Sequence, residues 1–217
     1  MKDDLFAQQP WGVEKRQNII KAIKAHYGEQ SFKGKTVLEL GCGNGEIGIA
    51  FAELGAIVDF SDARGYKNII NIDFNKSQHR FIPADVDLQW PFQKYYDYIF
   101  HIGLLYHLVS PWFSIFMSFK HAQNLVLETE VLDSEDPYYY QIIDEHGFTN
   151  SVHGKGFYPT ASMIESFLYL LYGINHIRFD SELLNVDGWY KYDAPIKNSG
   201  LLCLEGFRHR RLWFCNG

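Results

Sequence analysis

Residues Glu39-Leu-Gly-Cys-Gly-Asn-Gly45 place one carboxylate ahead of three glycines at alternate positions. Glycine accepts positive φ and lets a ligand approach the main chain, while a helix starting after such a turn presents unpaired N–H groups. A carboxylate or a ribose could rest there. Asp62 follows Gly41 by 21 residues, just beyond the apolar run that starts at Ile57, and one carboxylate there can accept hydrogen bonds from both hydroxyls of a ribose. Asp59 competes for this role but falls inside the run, and the alternative for Asp62 is that it caps the next helix. Glu46 stands where the G-x-G-x-x-G fingerprint needs its third glycine, and no Gly-Lys-Ser/Thr follows the turn. Both departures disfavour dinucleotide and nucleoside triphosphate chemistry.

A second group of candidates lies downstream. Tyr106 and His107 occupy the loop after an apolar strand, where an imidazole can take a proton from a hydroxyl or amine. His107 is the preferred base; the alternative is that the pair only packs or bonds to backbone. Glu128, Glu130, Asp133, Glu135 and Asp136 follow without an intervening Lys or Arg, and then come Tyr138, Tyr139 and Tyr140. This run suits a cationic, partly aromatic acceptor, although composition favours a solvated acidic loop, and it repels a phosphate backbone unless cations from elsewhere compensate. Arg208, His209, Arg210 and Arg211 form a compact basic cluster that reads as a guard on an edge strand. The histidine pairs His146/His153 and His101/His107 lack metal-ligand spacing, so no structural metal is expected. Cys42, Cys203 and Cys215 show no CxxC or CxxH pattern, so neither a disulfide framework nor a zinc knuckle is expected.

The elements that must hold these residues alternate. Val13, Ile19, Ile20, Ile23 and Tyr27 have roughly helical spacing, giving an amphipathic leading helix within residues 1–30. Thr36–Leu40 reads as a strand, Ile47–Leu54 as a helix, and Ile57–Phe60 as a second strand. A helix is expected around Tyr66–Phe74, and strands from Arg80 and over Tyr96–His101. Ser110 and Pro111 read as the cap and first residue of a helix running to about His121, before a fifth strand at Leu125–Glu128. Residues 129–158 read as a long loop on the acceptor side, before a helix capped at Thr160 or Ser162 that runs to Leu171. Strand-like segments near 174–179, 201–205 and 211–214 complete the sheet.

This order implies an α/β, Rossmann-like, doubly wound and mostly parallel seven-stranded sheet with an antiparallel edge hairpin. The whole span 1–217 is expected to be a single domain. With 47% hydrophobic and 17% aromatic residues, the chain can bury a sizeable core, and its net charge of −6 opposes a surface built mainly to bind phosphates. The amino-terminal residues do not resemble a secretory signal, and a cytoplasmic location is expected. Residues 98–119 carry no Asp, Glu, Lys or Arg, but Gly103, Pro111 and two histidines argue for a packed strand, loop and helix rather than a membrane span.

In this context the chain resembles the class I S-adenosylmethionine-dependent methyltransferases, whose acid followed by Gly-x-Gly-x-Gly matches Glu39, Gly41, Gly43 and Gly45. The resemblance implies S-adenosylmethionine as cofactor, with Glu39 on the methionine amino group, the turn including Cys42 against the amino acid and ribose, Asp62 on the ribose and Asp85 near the adenine amine. Gly103 joins this cofactor-binding set. A narrower likeness lies in Gly103-Leu-Leu-Tyr-His107 with the following Pro111, in Leu127-Glu-Thr129 and in Phe157-Tyr-Pro-Thr160, which resemble the wobble-uridine tRNA carboxymethyltransferase branch. The expected activity is methyl transfer to a small molecule or an exposed nucleotide, with the small molecule favoured over nucleic acid. Tyr106 and His107 would be the catalytic side chains. The alternatives are a non-catalytic S-adenosylmethionine-binding regulatory protein and a tRNA wobble-uridine transferase.

Overall fold

A computed structural model describes residues 9–64, 73–74, 77–146, 151–173 and 175–216. The leading helix α1 runs Pro10–Tyr27 with proline in its first turn, where a missing N–H costs nothing. Strand β1 (Thr36–Leu40) then enters the glycine turn and helix α2 (Glu46–Ala52), and β2 (Ile57–Ser61) returns beside β1. Next come β3 (Arg80–Phe81), β4 (Tyr96–Ile102), a single 3-10 turn at Leu105–His107, α3 (Pro111–Lys120) and β5 (Ala122–Glu130). The helix expected around Tyr66–Phe74 falls almost wholly outside the described residues.

The order of the sheet is β3-β2-β1-β4-β5-β11, where β11 spans Phe207–Asn216 and carries β8 (Asn175–Arg178) on its far side. The first five strands are mutually parallel, and β11 runs antiparallel to both β5 and β8. This gives the expected seven-strand path with its antiparallel edge, extended on β11 by the two-residue strands β9 (Tyr190–Lys191) and β10 (Cys203–Leu204).

Alternation along the strands divides the core into two faces. Val37, Tyr98, Phe100 and Phe214 pack toward α1 and α2 with Ile19, Ile23 and Phe51. Leu38, Ile99, Leu125, Leu127 and Trp213 pack on the opposite face against α3 and the later helix α4 (Ala161–Tyr172) through Ile115, Ile164 and Leu168. Buried strands covered on both faces need such near-continuous apolar runs. The uncharged run 98–119 is divided among β4, the 3-10 turn and α3, and among the described residues no helix is long and apolar enough to cross a membrane.

Several expectations need correction. Residues 129–158 are not one loop, because β5 continues to Glu130 and a separate antiparallel hairpin pairs β6 (Tyr140–Asp144) with β7 (Lys155–Pro159). One face of β6 is solvent-exposed, which diluted its hydrophobic signal. Of the two cap candidates it is Thr160 that caps α4, its hydroxyl accepting from the Met163 amide at 3.1 Å. Ser110 holds the cap position of α3 without a side-chain cap bond, and the amides of Val109 and Ser110 donate to Asp87.

Candidate functional site

A cleft of about 160 Å³ opens where β1 and β4 end. Its floor is the glycine turn, with Gly41, Gly43 and Gly45 all at positive φ, between 53° and 74°. Side chains are strained in that region of backbone space, which accounts for three glycines in five residues. A Cβ on Gly41 would come within 2.9 Å of Leu104, whereas one on Gly43 would meet no atom within 4 Å and would protrude into open space. Cys42 and Asn44 line the cleft beside them.

Glu39, the penultimate residue of β1, is buried, its Oε2 accepting from the Gly48 amide at 2.9 Å. Burial pushes its carboxyl up to about 8 despite that hydrogen bond. Gly48 is obligatory for this approach, since a Cβ there would lie 2.5 Å from both Glu39 and Phe60. Asp62 stands just past β2, and its two oxygens accept from the amides of Gly43 and Arg64 at 3.1 and 2.8 Å. One carboxylate therefore bonds directly to the glycine turn. Asp59 has a structural task instead, bonded to Arg80, Lys94 and Tyr96 at the back of the sheet.

Sequence reasoning overlooked the roof of the cleft. Lys15, Arg16 and Glu46 line it, with Arg16 and Glu46 joined as an ion pair between α1 and α2. Burial pushes the Lys15 ammonium down to about 8, reinforced by the nearby Arg210 charge and opposed by Glu128 and Glu130. Lys15 meets the wall at Gly103, where an added Cβ would fall 3.3 Å from its Nζ. A cation on an amphipathic helix gives no signal that distinguishes a cleft from solvent.

Beyond Gly103 lies a buried ionic ladder between β5 and β11. Arg210 forks onto Glu128, at 2.5 and 3.1 Å, and reaches Glu130 at 2.7 Å, while Arg208 pairs with the other oxygen of Glu130 at 2.9 Å. The Arg210 guanidinium is sandwiched by the rings of Tyr106 and Tyr190, 5.1 and 4.9 Å away. Glu128, Glu130, Asp133, Arg210 and Arg211 are all buried. Glu128, Glu130 and Asp133 are therefore not on a solvated loop, whereas Glu135 and Asp136 are exposed as composition suggests, and the basic cluster is not an edge guard because β11 is paired on both sides. Across the β5–β11 pair Glu128 and Glu130 neutralise Arg208 and Arg210, whereas Asp133 accepts the amides of Lys197 and Ser199 and Arg211 donates to the carbonyls of Arg210 and Ala194.

Tyr106 and His107 come together on the 3-10 turn, with ring centroids 4.0 Å apart. Burial pushes the Tyr106 phenol up, so it stays protonated at neutral pH. His107 Nδ1 lies 2.5 Å from Glu145 on the β6–β7 hairpin, a partner with no sequence signal. Asp85 lies past β3 and pairs with His153 at 2.8 Å. Asp85, Asp87 and His153 bring ligand atoms within 4.8 Å of one another. Asp87 already accepts two main-chain amides and Asp85 holds His153, so hydrogen bonding accounts for the group without a cation.

Residues 13–159 match the family model described as a methyltransferase domain. Among solved structures, the chain is similar to the Burkholderia thailandensis 1,6-didemethyltoxoflavin-N1-methyltransferase with bound 1,6-didemethyltoxoflavin and S-adenosylhomocysteine. Identity is 15%, the TM-score is 0.62, and the match covers 97% of this chain and 81% of that one. The magnesium protoporphyrin IX methyltransferase of Synechocystis with bound S-adenosylhomocysteine is similar at 15% identity and a TM-score of 0.59, covering 97% and 87%. The amino-terminal domain of EvdMO1, in the presence of S-adenosylhomocysteine and D-fucose, gives 15% and 0.62 over 92% and 82%. At these identities the likeness concerns the fold. No curated protein matches the sequence.

Proposed function

Because the chain belongs to the methyltransferase-domain family, we propose that it moves a methyl group from S-adenosylmethionine to a small-molecule acceptor. One observation carries this reading: a buried acid and a glycine turn line one cleft at the ends of parallel strands, and a second acid, Asp62, is bonded to that turn. The residues fit the donor chemically. Glu39 offers a carboxylate to the amino group, Lys15 an ammonium to the carboxylate, and the bare Gly43 main chain leaves room between them. Asp62 is assigned to the ribose hydroxyls, Asp85 to the adenine amine, and Cys42 and Gly103 to the walls.

S-adenosylmethionine supplies a methyl group already activated on a sulfonium, so the chain has to align the acceptor and keep water out. The buried Tyr106 wall serves the second task, and His107 takes the acceptor proton. The similar structures named for 1,6-didemethyltoxoflavin and magnesium protoporphyrin IX support a small-molecule acceptor. An exposed nucleotide, as in the wobble-uridine branch, is the second reading. It is favoured by the pairing of Glu128 and Glu130 with arginines, which removes their repulsion of phosphate.

Incubation with methyl-labelled donor and either a metabolite extract or an RNA pool separates the readings. Label in the metabolite fraction, with demethylated donor formed in equal amount, is the expected result. Label confined to RNA would move the acceptor to the second reading. Tight donor binding with no transfer to either pool would mark a non-catalytic binding protein.

A further inference from the structure

Glu145 has a buried carboxylate with three converging donors, at a position no composition or motif singles out. Its Oε2 lies 2.5 Å from His107 Nδ1 and accepts from the Ser151 amide at 2.9 Å, while its Oε1 accepts from the Tyr158 phenol. Only 6% of the residue is exposed. Burial alone would push this carboxyl up, but the bonds from His107, Tyr158 and Ser151 outweigh it and hold it below the ordinary range. The group is therefore ionised at neutral pH and can only accept, so the proton on His107 must sit on Nδ1.

The hairpin is shaped to make this contact. A Cβ on Gly156 would fall 2.6 Å from the Tyr106 carbonyl oxygen and 2.8 Å from the Glu145 carboxyl, so β7 lies directly on the turn that carries His107. The same loop end of the hairpin is tied down by His153 on Asp85. A carboxylate that needed only solvation would not require a glycine opposite it.

We propose that Glu145 is a positioning residue that locks His107 in the Nδ1–H tautomer and leaves Nε2 as the basic nitrogen for an acceptor bearing an O–H or N–H. This rests on the methyl-transfer reading. In the step, the acceptor's lone pair forms the new bond to the methyl carbon while the carbon–sulfur pair returns to sulfur, giving a neutral thioether. The acceptor proton passes to His107 Nε2, and the imidazolium so formed faces the Glu145 carboxylate.

Nitrogen-15 spectra of histidine-labelled full-length protein, recorded above pH 8 with S-adenosylhomocysteine titrated in parallel, test the proposal. Wild type should show a protonated Nδ1 and a bare Nε2 on His107. Glu145→Gln should lose that single tautomer while keeping S-adenosylhomocysteine affinity within about twofold, and transfer to any pool the wild type labels should fall by about tenfold or more. Tyr158→Phe, which removes a different donor to the same carboxylate, should keep the tautomer. An Nε2–H tautomer in wild type, or an unchanged spectrum in Glu145→Gln, overturns the proposal. Failure of wild type to bind S-adenosylhomocysteine instead overturns the donor reading on which it rests, and is read from the titration alone.

Discussion

Glu39 is a carboxyl that burial keeps protonated up to about pH 8, in a cleft assigned to an ammonium-bearing donor. An ammonium beside it favours the ionised form, so binding at pH 7 should release about one proton. Lys15, held at about 8, is already mostly charged at that pH and offsets little of the release. Calorimetry with S-adenosylhomocysteine in two buffers of different ionisation enthalpy measures the effect. The apparent enthalpy should follow the buffer in wild type and become buffer-independent in Glu39→Gln. At this scale the sequence was readable where geometry demands a residue type, as at Gly41, Gly43 and Gly45, whose positive φ excludes side chains. Lys15 and Glu145 were not readable, because neither a cation on a helix nor an acid before a loop states what it faces.

The pairing of β5 with β11 decides how the charges beside the proposed acceptor site behave. Burial alone would push Glu128 up, but the Arg210 and Lys15 charges and the Arg210 hydrogen bonds hold it at about 2. The stability this contributes is complete above the unfolded value near 4.5 and is lost as pH falls from there toward 2. Arg210→Met would strip the buried Glu128 of its guanidinium and leave Glu130 with Arg208 alone, and should cost about 3–5 kcal/mol. Removing Arg178, which is partly exposed beside Asp180 and Glu165, should cost about 1 kcal/mol or less. Urea unfolding of both variants at pH 7 and pH 3.5 checks this: the gap should narrow at the lower pH, and equal losses at pH 7 would refute the ladder. Either charged run alone looked like surface. Only the register, Arg210 opposite Glu130 with Glu128 two residues along, shows which of these charges pair.

Across the whole molecule, the succession of strands and their parallel class were legible because the buried strands end at turns or helix starts with signals of their own. The hairpin over the acceptor side was not, since half of β6 faces solvent and its packing depends on Gly156 meeting a distant turn. This asymmetry has a functional sense. The half proposed to hold the donor is set by backbone geometry at the ends of β1, β2 and β4. The half proposed to receive the acceptor is set by side chains from the hairpin, β5 and β11 that converge only in three dimensions, and such sites can change acceptor while the fold stays.

The claim beneath all of this is that the cleft at the end of β1 holds an adenosyl amino acid. Calorimetric titration of the wild-type protein with S-adenosylhomocysteine, against Asp62→Ala and against NAD, addresses it most directly. One saturable site per chain is expected, weakened in Asp62→Ala by about 1.5–3 kcal/mol, the scale of hydrogen bonds to a charged group, with no binding of NAD. Absence of S-adenosylhomocysteine binding to folded wild-type protein, or saturable binding of NAD in its place, would contradict the account.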